Sequence, residues 1–206
     1  MRLEEVVLEH GSQALRIAAD RRSFELRDEA GDLRLRFHPP LVLSIRPEHE
    51  GVGDYLEDEL DRPGLELLLL IQAGAVAMGL WDEGELLAHK AFKKYVVRGK
   101  GKAQATHLGS KGKSRYGSRL RLQNWKSQIL EIKDRCQAWA DIHGDFDHVL
   151  VSCPVRLWPE LFATEPMPPF DQREGITTIP LDVAVPSHDE LLRVRRAIEQ
   201  GLLEHW

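Results

Sequence analysis

KKYVVRGKGKAQATHLGSKGKSRYGSRLRLQNWKSQILEI, residues 93–132, decides the fold of this chain. Its opening, from Lys93 to Arg98, alternates basic with aromatic or β-branched side chains, as an extended strand does. The segments around Gly99–His107 and Gly109–Gly117 then interleave glycine and small residues with lysine. Such runs build no core; they predict disorder without a partner and a backbone that can lie close against phosphate. The remainder reads as an amphipathic helix. Leu122, Trp125, Ile129, Ile132, Cys136 and Trp139 follow 3-4-3-4-3 spacing and so share one face. Ser118 is the expected N-cap and Gly144 the expected stop.

Charge sets the same stretch apart. No Asp or Glu occurs from Leu86 to Leu130, while twelve Lys and Arg lie between Lys90 and Lys126. The chain as a whole carries 28 basic and 33 acidic residues, a net charge of −5; outside the stretch, 16 basic residues against 33 acidic leave −17. A basic tongue on an acidic body points to a polyanionic partner, and nucleic-acid phosphate is the common one. Tyr95 and Trp125 each fit an apolar register and read as packing residues rather than base-stacking platforms.

Upstream of the tongue, Leu65–Ile71 is a near-continuous apolar run, the pattern of a strand buried on both faces. Ala75–Trp81 and Leu86–Ala91 read as two further strands joined across the turn Asp82-Glu83-Gly84-Glu85, an antiparallel hairpin. Downstream, His148–Ser152 and Ile176–Ile179 are short strands, with a helical turn at Leu157–Phe162 between them. Pro186-Ser187-His188-Asp189-Glu190 caps a final helix whose apolar stripe is Leu191, Leu192, Val194, Ile198 and Leu202. Strands alternating with helices give an α/β domain with a mixed sheet over 63–206. Residues 1–62 form a β-rich N-terminal extension. Ala14–Ala19, Phe24–Leu26 and Leu33–Phe37 are weakly alternating strands, Leu41–Ile45 is another strand after Pro39-Pro40, and Pro47–Gly53 is a loop.

Several function classes fall away. No run approaches the ~20 apolar residues of a membrane span, and the N-terminus lacks the basic-then-apolar order of a secretory signal, so the expected location is the cytoplasm. Cys136 and Cys153 have neither metal nor disulfide spacing and read as buried thiols. Asp141, His143, Asp145, Asp147 and His148 match no ligand pattern and read as an acidic helix end; no metal or cofactor is expected. There is no phosphate-binding loop of the nucleoside-triphosphatase type and no nucleophile elbow. One uncharged polar residue stands at the centre of the tongue, Gln104. A carboxamide is no general base at neutral pH, but it can orient a water or a ribose hydroxyl, and a glycine backbone can bring an N–H to a leaving oxygen.

Tyr95-Val96-Val97-Arg98 followed by Gly101-Lys102-Ala103-Gln104, a basic Gly/Ser loop and a helix opening on Arg119-Leu120-Arg121 resembles the VLRF family, release-factor-like proteins of ribosome quality control. A second match lies at Ile176-Thr177-Thr178-Ile179-Pro180-Leu181 with Pro186-Ser187 and Glu190, similar to the family's closing strand and final helix. The resemblance spans roughly residues 65–200. It implies a ribonuclease-H-like α/β fold, like the middle domain of archaeal and eukaryotic class I release factors, with the basic loop between a strand and a long amphipathic helix. It implies release of nascent chains from peptidyl-tRNA on stalled large ribosomal subunits. Gln104 matches the family's catalytic glutamine and Gly101 its loop glycine.

On that reading, Arg98, Lys100, Lys102, Lys111, Lys113, Arg115, Arg119 and Arg121 contact RNA. The partners are the large ribosomal subunit, its ribosomal RNA and peptidyl-tRNA, met by a monomer. The loop departs from the Gly-Gly-Gln of true release factors by placing Lys102 and Ala103 before the glutamine. Codon recognition is not expected, because no zinc-finger, ankyrin or coiled-coil region accompanies the domain. Three chemistries stay open: water attacking the peptide ester, a ribose 2′-hydroxyl attacking the adjacent phosphate and cutting the tRNA, or docking without catalysis. A metal-dependent nuclease of the ribonuclease-H type would need clustered carboxylates, and the strands before the tongue carry almost none.

Overall fold

A computed structural model describes residues 7–8, 11, 14–43, 45–60, 64–94 and 113–206, with side chains described outside 58–60 and 113–122. The chain divides into two compact units, one of residues 1–63 with 193–206 and one of residues 64–192.

The second unit is built on a sheet with strand order β6-β5-β4-β7-β8. Its strands are β4 (Glu66–Gln72), β5 (Ala75–Asp82), β6 (Glu85–Lys93), β7 (His148–Ser152) and β8 (Ile176–Thr178). β4, β5 and β6 form an antiparallel meander, while β7 and β8 pair parallel to β4 and to each other. The sheet is therefore mixed. The continuous apolar run is its centre: Leu67 to Leu70 have no exposed surface, as expected of a strand covered on both faces. The β5–β6 turn has both central residues at positive φ, Glu83 at 48° and Gly84 at 83°, the backbone that a two-residue hairpin requires.

One face of this sheet packs against helix α2, Lys113–His143. Leu67, Leu69 and Ile71 alternate inward from β4, Val76, Met78 and Leu80 from β5, and Ile129, Ile132, Cys136 and Trp139 meet them from the helix. Trp125 packs at the edge of the same core, which is the packing role expected of it. Gly144, at φ 102°, ends the helix and donates its N–H to the Ala140 carbonyl. The start of α2 differs from expectation: the helix begins at Lys113, so Ser118 lies inside it and is not its N-cap. Extending a helix costs far less than nucleating one, and Lys, Arg and Leu propagate it well enough to carry it through Gly117. On the opposite face, helix α3 (His188–Ile198) brings Leu191 against β5. Ser187 caps it, its Oγ accepting the Glu190 N–H at 3.1 Å.

The first unit holds a four-stranded antiparallel sheet, β1 (Leu15–Ile17), β2 (Phe24–Arg27), β3 (Leu33–His38) and β9 (Leu202–His205). Leu15, Phe24, Leu35 and Phe37 face inward onto Val52 and Tyr55 of helix α1 (Val52–Leu60). Three expectations are corrected here. Leu41–Ile45 is not a strand; Leu41–Leu43 forms a 3-10 turn, because Pro40 fixes the backbone bend and its carbonyl accepts the Leu43 N–H at 2.8 Å. Helix α1 starts inside the segment read as a loop, with Asp54 accepting the N–H groups of Glu50 and Gly51 at its start. Leu202 does not continue the apolar stripe of α3: the helix ends at Ile198 and Leu202 opens β9, 56% exposed.

Candidate functional site

The site predicted from sequence lies, along the chain, between the end of β6 and the N-terminal turns of α2. Arg98, Lys100, Gly101, Lys102, Gln104 and Lys111, and Tyr95 with them, lie outside the described residues. Lys113, Arg115, Arg119 and Arg121 fall on the N-terminal turns of α2. Trp125 is the first described side chain of α2 to pack in the core. The twelve helical residues before it correspond to about 18 Å of helix. Nothing acidic occurs in that stretch.

What the structure does show is the root from which the loop departs. Lys94, the last described residue before it, points back onto α2. Its Nζ donates to Ser127 Oγ at 2.8 Å and pairs with Glu131 Oε2 at 2.7 Å. Its backbone N–H donates to the Gly74 carbonyl at 2.9 Å, which fixes the strand end to the β4–β5 turn. That turn is in turn fastened to the helix. Gln128 has no exposed surface; its Oε1 accepts the Gly74 N–H at 3.0 Å and its Nε2 donates to the Gln72 carbonyl at 2.8 Å. The strand end that precedes the segment and the middle of α2 are thus held to one spot on the sheet margin.

Sequence reasoning passed over Gln128, Gln72 and the Lys94–Glu131 pair. The signal for Gln128 was present: a carboxamide one position before Ile129 and four before Ile132, on the side of the helix that carries the apolar stripe. Lys133 is a second polar residue buried on α2, and its Nζ donates to the Thr164 carbonyl. Of the two free thiols, both expected to be buried, Cys136 is buried and Cys153 only partly so. Burial raises Cys136 far above the usual thiol range and pushes Cys153 up to about 12, so neither is a nucleophile at neutral pH. Among the described residues, no three His, Cys, Asp or Glu side chains gather as a metal site.

Comparison with known proteins decides the family. Residues 66–205 match the family described as the Bacteroidetes VLRF1 release factor. The chain belongs to that family. The match runs from β4 to β9 and contains the whole tongue, so the basic stretch and the clasp at its root are both part of this release-factor family domain. A solved structure titled "Vms1 mitochondrial localization core" is similar in fold, with a TM-score of 0.50 and 12% sequence identity over 90% of this chain and 76% of that one. No curated protein matches the chain. The expected α/β fold with a mixed sheet is the one observed, with the tongue between strand β6 and the long helix α2.

Proposed function

We propose that this VLRF1-family protein acts in ribosome quality control in the cytoplasm. As a monomer, it releases nascent chains from peptidyl-tRNA on stalled large ribosomal subunits. The observation that carries the reading is positional: the family match spans a tongue free of acidic residues, with Gln104 at its centre, rooted between β6 and α2. Lys100, Lys102, Lys111, Lys113 and Arg115 neutralise RNA phosphates, with Arg98, Arg119 and Arg121 beside them. Cations near a helix N-terminus oppose its dipole, and an RNA phosphate placed there removes the conflict.

Gln104 orients a water toward the ester carbon, with Gly101 allowing close approach of the backbone. The water oxygen bonds to the carbonyl carbon, the bond to the ribose 3′ oxygen breaks, and the proton passes to that oxygen. Positioning and electrostatics supply the rate, because the ester is already activated.

The test uses purified large subunits carrying labelled peptidyl-tRNA, mixed with wild-type protein or Gln104→Ala. Free peptide with an intact tRNA end is expected from wild type, and loss of release with retained subunit binding from the variant. Peptide still bearing nucleotides would assign the chemistry to tRNA cleavage. Tight binding with no cleavage by wild type would leave a docking module.

A further inference from the structure

The β4–β5 turn, Gln72–Gly74, is where two distant parts of the second unit are tied together. From the helix side, Gln128 grips the Gly74 N–H and the Gln72 carbonyl with its fully buried carboxamide. From the strand side, the Gly74 carbonyl takes the Lys94 N–H. From the far side of the chain, Gln72 Nε2 donates to the carbonyls of Val183 and Ala184, both at 3.0 Å. The Ala184 N–H in turn donates to Glu190 Oε1 at 2.7 Å, and the Glu190 N–H to Ser187 Oγ. Ser187 and Glu190 belong to the second stretch of family resemblance, and Lys94 and Gln128 flank the first in the sequence.

We propose that Gln128 is a positioning residue for the reaction at Gln104: its two hydrogen bonds set the register of α2, and with it the place from which the tongue reaches substrate. The proposal rests on the functional reading given above. Apolar packing resists separation of helix and sheet, but it is non-directional and sets sliding and tilting less sharply than hydrogen bonds do. A carboxamide bonded to two backbone groups of one turn fixes both. The first helical residue, Lys113, lies fifteen positions before Gln128, about 22 Å along the axis. A tilt of about 5° at Gln128 moves that end by about 2 Å, and a misplacement of roughly 1 Å is enough to slow a positioned reaction on the order of 100-fold.

Gln128→Met preserves length and removes both hydrogen bonds. Lys94→Met releases the strand end from Ser127 and Glu131 at a partly exposed position and leaves the core untouched, so it decides the matter if the first variant fails to fold. Single-turnover release at saturating protein and subunit affinity are measured together with amide hydrogen exchange. Expected for Gln128→Met are release slowed on the order of 100-fold, unchanged affinity, and faster exchange confined to the Gly74 and Lys94 amides while β4 and β7 exchange as in wild type. Lys94→Met is expected to slow release in the same direction, again at unchanged affinity.

Release at the wild-type rate from both folded variants overturns the positioning role alone. Exchange that rises uniformly through the second unit overturns it as well, since the carboxamide would then be a stabilising contact and no more. Absence of release by wild type overturns the functional reading first, and this role with it.

Discussion

Replacing Gly79 by alanine tests how β5 is covered. Gly79 sits mid-strand, opposite Leu68 on β4 and His89 on β6. A Cβ there would lie 2.3 and 2.4 Å from two ring carbons of Trp81 and 3.0 Å from Leu191 Cδ2. The ring contacts are more than an ångström inside the roughly 3.5 Å at which carbons touch. Trp81 is 3% exposed, so its indole has little free space into which to turn. Overpacking of this kind costs about 1–3 kcal/mol. Alanine returns about 0.4–1 kcal/mol by narrowing the unfolded ensemble. The clash wins, and Gly79→Ala should destabilise by roughly 1–2 kcal/mol.

Removing the indole should reverse the sign. In a Trp81→Leu background the nearest neighbour outside residue 81 is the tip of Leu191, which can give by a few tenths of an ångström. Alanine should then be neutral or stabilising by up to about 0.5 kcal/mol. Urea unfolding of the four proteins of this cycle reads the coupling directly. An equal cost of Gly79→Ala in both backgrounds would refute the reasoning, because additivity means the two positions do not touch.

Four further outcomes are expected. Subunit binding should weaken steeply as salt rises, with a log–log slope that becomes shallower when Lys111 and Lys113 are both replaced by Gln; a salt-insensitive affinity counts against the tongue as the main contact. Hydrogen bonds from Arg36 first, then Arg27, hold the Glu25 carboxyl below its usual value of 4.5. The stability this contributes is present above that value and is lost as pH falls through the lower folded value. The difference in urea midpoint between wild type and Glu25→Gln should therefore be widest near neutrality and shrink below about pH 4.5. Glu83→Asn should stabilise by roughly 0.5–1 kcal/mol in thermal melts, since asparagine accepts the left-handed backbone that Glu83 is forced to adopt. Finally, a thiol reagent at pH 8 should label Cys136 only after unfolding; rapid labelling of the native protein would contradict its burial.

The second unit was largely legible because its signals are local and redundant. Leu67–Leu70 could only be a central strand, Glu83-Gly84 marked a hairpin, and the stripe from Trp125 to Trp139 fixed the buried face of α2. The first unit was harder, since its elements are short and stabilised from outside. Val52, Tyr55 and Leu56 have helical spacing, but Gly51 and Gly53 masked it, and packing on Phe24 and Phe37 does what local propensity does not. The β9 segment carries no strand signal strong enough to compete with the end of a helix; only pairing with β3 makes it one. At the site, the resemblance pointed to Gln104, whereas the clasp showed only its helix half, a carboxamide on the apolar side of α2. Gln128 binds backbone groups of Gln72 and Gly74, and a backbone group leaves no mark on a sequence.

The late arrival of β9 shapes the making of this chain. His38 and Glu204, paired across β3 and β9, stand 166 positions apart, so β3 waits for all the intervening residues to be made before its neighbour exists. Residues 64–192 are all available to fold in the meantime. Until then β3 offers an open row of N–H and C=O groups, the template on which nascent chains pair wrongly. Arg34 and Arg36, alternating along it, are the charges that blunt such an edge. A ribosome halted short of residue 202 would hold this very protein with that edge uncovered.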